Sequence, residues 1–99
     1  MDADQDPIVT RYRDELTEAD LAILAAVNRR IELHAELYAH KRQHGYEMID
    51  PTREQWLLNH LTRSNGGPLS PEGLAAFYRY LLDISKAEVA RLAERSTPA

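Results

Sequence analysis

The sequence contains no cysteine, which excludes a disulfide framework and thiolate chemistry and fits a reducing compartment. Aromatic residues are few, with one tryptophan and one phenylalanine, and no basic run accompanies them. With a net charge of −4, that argues against nucleic acid as a partner. No apolar stretch is long enough for a signal peptide or a membrane span, so a cytoplasmic protein that does not enter a membrane is expected. There is no glycine-rich phosphate loop and no strand-like alternation. What remains is an ordinary globular composition, 43% hydrophobic and 28% charged. Ninety-nine residues suit a single domain or one half of a dimer, with a modest core.

Helices account for nearly all of it. Asp6-Pro7 is a cap followed by a proline at the first helical position, and from there good helix formers run uninterrupted to His44, where Gly45 stops them. Asp50-Pro51 opens a second helix, which ends before Asn65-Gly66-Gly67-Pro68; its core side is expected to carry Trp56, Leu57, His60 and Leu61. Ser70-Pro71-Glu72 opens a third, reaching about Glu94, with the stripe Leu74, Tyr78, Leu81, Ser85, Val89, Leu92. The expected fold class is all-α, with three helices per chain (long, short, medium) in one domain spanning 1–99. Its ordered core covers about 7–95, and residues 1–5 and 96–99 are expected to fray. The first helix would be about 57 Å long, against a radius of gyration of about 13 Å for a compact chain of this size. Its own chain cannot cover it, so an intertwined helical homodimer is expected.

The chemistry concentrates in a few polar residues. Arg30 and Lys41 stand eleven residues apart, which returns to almost the same helix face about 16 Å further on. Both lie in or beside the seam Val9, Leu16, Ile23, Leu37, where a cation is costly without an anion to meet it. Ser85 interrupts the stripe of the third helix. Asp50, Arg53 and Glu54 crowd the first turn of the second, and Arg53 there opposes the helix dipole. Each has a plain structural explanation when taken alone: snorkelling stems, a cap, a solvated pair. Together they suggest a site for a small dianion. Arg13 lies about 26 Å before Arg30 and about 100° round the helix, so it can reach the same ligand only from a partner chain.

This pattern, Arg13, Arg30, Lys41-Arg42-x-x-Gly45, Asp50-Pro51-Thr52-Arg53-Glu54 and Ser85, resembles the all-helical (type II) chorismate mutases from about Tyr12 to Leu92. The resemblance implies an intertwined dimer with two equivalent sites, each completed by the partner's N-terminal arginine. It implies that Arg30 and the partner's copy of Arg13 clamp the two substrate carboxylates, with Ser85 assisting. Lys41 would donate to the ether oxygen, Glu54 and the backbone at Asp50 would hold the ring hydroxyl, and Arg53 would reinforce the charged wall. No cofactor and no metal are implied.

One position departs from the pattern. Where the family usually carries glutamine as a second ether-oxygen donor, this chain has Val89, and Glu88 one residue earlier would point about 100° away. That keeps two alternatives open. One is a related pericyclic enzyme acting on 4-amino-4-deoxychorismate or isochorismate; the other is a weakly active module dependent on a partner enzyme of the aromatic pathway. His40 and His44 have the i,i+4 spacing of a metal pair without an evident third ligand. His34 is unassigned, and no histidine stands at a spacing that would pair it with Ser85.

Overall fold

Three cap-and-proline signals become three helix starts in the computed structural model, which describes residues 2–96. Helix α1 spans Pro7–His44, α2 Pro51–Ser64 and α3 Pro71–Ser96; no strand occurs among the described residues. At the start of α1 the Asp6 carboxylate accepts the Ile8 N–H at 2.9 Å. In α2 Asp50 accepts the Arg53 N–H at 3.1 Å. In α3 the Ser70 hydroxyl accepts the Gly73 N–H at 3.0 Å. Each bond satisfies one of the orphan donors of a first turn.

Helix α1 stops for a specific reason. Gly45 adopts φ +69°, and the chain folds back so that Tyr46 N–H donates to the Lys41 carbonyl (3.0 Å) and Gly45 N–H to the Arg42 carbonyl (3.4 Å). That is the paired closure of a Schellman motif, and it needs a residue at ease in the left-handed region. Lys41, Arg42 and His44 occupy the last turn, where cations complement the helix dipole. Between α2 and α3, Asn65 organises the turn by donating to the Leu69 carbonyl and accepting from Gly67 N–H.

The chain divides into two units, Met1–Arg30 and Ile31–Ala99, and α1 passes through the division. In Met1–Arg30, the residues expected to fray include a single 3₁₀ turn at Ala3–Gln5. The α1 side chains Ile8, Leu16, Leu21, Ile23 and Leu24 are each more than half exposed. In Ile31–Ala99 the core lies on α3, where Leu74, Leu81, Ser85 and Val89 are buried and Tyr78 and Leu92 half-buried. These positions follow the expected stripe, since spacings of 3, 4 and 7 share one helix face. Met1 and residues 97–99, part of the termini expected to fray, lie outside the described residues.

Helix α2 differs from the expectation. Its inward side carries Glu54, Leu57, Leu58 and Leu61, all half-buried, whereas Trp56 and His60 are exposed. The tryptophan and histidine share a stripe of their own, about 100° away from Leu57 and Leu61 on average at about 100° per residue. They satisfy their ring faces by stacking on each other, with centroids 4.8 Å apart and planes at 7°.

Candidate active site

Within Ile31–Ala99, α1, α2 and α3 each contribute polar side chains, and contacts among them join the helices. The first links α2 to α3: Lys86 Nζ lies 2.7 Å from Glu54 Oε1, with side chains 37% and 31% exposed respectively. The second links α1 to α3: His34 Nδ1 and Ser85 Oγ share a hydrogen bond of 2.9 Å. Ser85 is 0% exposed, so this hydroxyl sits inside the stripe of α3 and needs polar company there.

Neither contact was legible as a pair in the sequence, and the second corrects the expectation that no histidine serves Ser85. A signal for His34 did exist. It stands four residues after Arg30 and seven before Lys41, so it falls within about 40° of both around the helix. A serine beside a histidine is half of a nucleophilic pair. Here the serine is wholly enclosed, leaving no surface on which an electrophilic carbon could arrive. The bond holds α1 to α3 instead. His34→Ala is expected to lower unfolding free energy by about 1–2 kcal/mol, read from urea unfolding at fixed chain concentration. His34→Asn, whose amide can reach the position of Nδ1, should lose less; equal stability of wild type and alanine variant would remove this role.

The other residues marked in the sequence are placed as follows. Lys41 is half-buried in the last turn of α1. Asp50 spends its carboxylate on the α2 cap, and its backbone carbonyl accepts the Glu54 N–H at 3.1 Å. Arg53 is exposed, with its guanidinium 4.0 Å above the centre of the Trp56 ring, a cation–π seat that restricts an otherwise free side chain. Val89 is 2% exposed and packs in the core stripe. Glu88 points elsewhere and meets Arg91 Nε at 2.7 Å, so its carboxylate serves a cation on its own helix.

In Met1–Arg30, Arg30 is half-buried, and Arg13 lies on the surface with its guanidinium 2.6 Å from Asp4 Oδ1. Among the described residues, no group of three or more histidine, cysteine, aspartate or glutamate side chains is arranged to hold a metal ion. His44 Nδ1 donates to the His40 carbonyl at 2.9 Å, and its ring stacks against Tyr46 with centroids 5.4 Å apart. No helix among the described residues is long and apolar enough to cross a membrane.

The three helices of Ile31–Ala99 thus carry cations at Lys41, Arg53 and Lys86, a carboxylate at Glu54 paired to Lys86, and an enclosed Ser85 bonded to the half-buried His34. The family model for chorismate mutase type II matches residues 12–89. That stretch covers α1 from its second turn, all of α2 and most of α3, and the chain belongs to this family. It is an isomerase family, and the activity is that of a chorismate mutase, converting chorismate to prephenate.

Proposed function

We propose that the protein performs this rearrangement as an intertwined homodimer in the cytoplasm, with Arg30, Lys41, Asp50, Arg53, Glu54 and Ser85 of one chain and Arg13 of its partner around each substrate. The observation that carries the reading is α1 itself: one unbroken helix, Pro7–His44, with Arg30 and Lys41 eleven residues apart. The dimer is supported by the exposed apolar residues Ile8, Leu16, Ile23 and Leu24 along the same helix, since side chains of this size gain about 1.5–3 kcal/mol each when fully covered.

The rearrangement is intramolecular, so it requires no nucleophile, no general base and no metal. Two contributions remain for the protein. The first is conformational: two arginines gripping two carboxylates hold the flexible substrate in its compact reactive shape. The second is electrostatic: negative charge grows on the ether oxygen as its bond to the ring breaks, and Lys41 is the donor aimed at it. A half-buried ammonium acts more strongly than one in water because the medium around it screens less. Glu54 receives the ring hydroxyl and so fixes the far end of the substrate. Ser85 contributes through its hydrogen bond to His34 on α1.

The test is turnover of chorismate, isochorismate and 4-amino-4-deoxychorismate by the purified protein, each followed by product identification. Prephenate formed from chorismate, with the other two turned over at least about a hundredfold less efficiently by kcat/KM, is the expected result. A preference of that size corresponds to about 2.7 kcal/mol of differential transition-state binding. Silence on chorismate beside turnover of either other compound would overturn the assignment. High turnover by the isolated dimer would show that no partner enzyme is needed.

A further inference from the structure

Lys86 belongs to none of the residues used above, yet it makes an ion pair between α2 and α3, its Nζ 2.7 Å from Glu54 Oε1. It follows Ser85 on α3 and therefore turns about 100° away from the buried stripe, on the side where α2 presents its first turn. Two long side chains, each about one-third exposed, are held in a single arrangement there. Holding them costs rotamer freedom.

The pairing does two things to Glu54. It commits Oε1 while leaving the other oxygen with lone pairs for a further donor. It also cancels the charge that the carboxylate would otherwise present to an incoming dianion. A neutral hydroxyl can donate to a carboxylate compensated in this way without electrostatic penalty. An ammonium brought to the same carboxylate would stand within a few ångströms of the Lys86 ammonium, and like charges at that range repel.

We propose that Lys86 is a specificity-determining residue: paired with Glu54, it makes the site accept a substrate with a neutral hydroxyl at the end Glu54 receives and reject one with an ammonium there. This rests on the reading that Glu54 holds the ring hydroxyl, and it names the substrate class that enters. Lys86 acts through Glu54 and is a positioning residue, not a catalytic one.

The experiment measures KM for chorismate and the inhibition constant of 4-amino-4-deoxychorismate against chorismate turnover, in wild type, Lys86→Met, Lys86→Gln, Lys86→Arg, Glu54→Gln and the Glu54→Gln/Lys86→Met double variant. The informative quantity is the ratio of the amine's inhibition constant to the KM for chorismate. Lys86→Met should lower that ratio about tenfold, a modest figure because the pair is partly screened by solvent. Lys86→Gln should move it the same way, and stays informative if the methionine variant does not fold. Lys86→Arg should hold it within about twofold, since the charge is kept. Against the Glu54→Gln background, Lys86→Met should change the ratio by less than about twofold, because nothing then holds the lysine in place. A ratio unchanged in both neutral variants, or an equal shift in the Glu54→Gln background, would overturn the role of Lys86. Chorismate turnover by the wild type would in that case leave the functional reading standing. If the wild type formed no prephenate, that reading would fall and this proposal with it.

Discussion

Lys41→Ala is expected to lower kcat for chorismate by about 10²–10³-fold, the usual consequence of removing one preorganised donor from a developing oxyanion. The effect should fall on kcat more than on KM, because the ether oxygen is nearly neutral in the bound substrate and gains charge only as its bond breaks. Stability should change little. The backbone carbonyl of Lys41 closes the end of α1 by accepting from Tyr46 N–H, and that bond does not involve the side chain. Lys41→Met, which keeps most of the stem, should be as inactive as the alanine variant, separating loss of charge from loss of packing. Lys41→Arg should recover only part of the rate, since a planar fork does not aim as a compact ammonium does. Circular dichroism of each variant alongside kcat and KM is the check. A Lys41→Ala protein within tenfold of wild type would mean that the ether oxygen is served by another group, and His34 would be the first to examine.

Much of the fold was legible because helix signals are local. Asp6-Pro7, Asp50-Pro51 and Ser70-Pro71 each place a cap acceptor before a residue whose missing N–H costs nothing in a first turn, and each became a helix start. Gly45 marked the end of α1 because only a residue at ease with positive φ closes a helix in that way. The stripe of α3 was readable because its spacing alone decides which side chains share a face. On α2 angle outweighs hydrophobic type: Glu54, Leu57, Leu58 and Leu61 form the consistent stripe, which contains a charge, and Trp56 and His60 lie outside it.

The site was legible only in part, and the division is physical. Periodicity reports which residues share a helix face; it does not report which face of another helix will meet them. Arg30, His34 and Lys41 can be grouped on α1 from angles alone. That His34 meets Ser85 and Lys86 meets Glu54 depends on how α1, α2 and α3 pack, with sequence separations of 51 and about thirty residues that no local pattern encodes. The seat of Arg53 on Trp56 was within reach, being an i,i+3 relation. An expectation that seats the tryptophan in the core hides that relation.

Mixing an Arg13→Ala chain with an Arg30→Ala chain is expected to regenerate activity that neither possesses. Each variant alone should lose at least about a hundredfold in kcat/KM, because each removes one bidentate grip on a substrate carboxylate from both sites. In a proposed two-fold dimer each site draws Arg30 from one chain and Arg13 from the other. A heterodimer of the two variants therefore contains one site with both arginines and one with neither. Random assortment makes half the dimers mixed, so about one quarter of the wild-type activity should return. The loss in Arg13→Ala has to come from the ligand, since the contact Arg13 makes within its own chain is weak. Its ion pair to Asp4 lies between side chains 57% and 75% exposed, and such pairs contribute little to stability and exchange readily for a better anion. Asp4→Ala should accordingly leave turnover within about twofold, as an exposed pair of this kind predicts. The mixture is prepared by co-refolding equal amounts and assayed against the two parents at the same total chain concentration. Activity no higher than the mean of the parents would mean that Arg13 does not cross between chains, and a sedimentation profile of a monomer would exclude the shared site altogether.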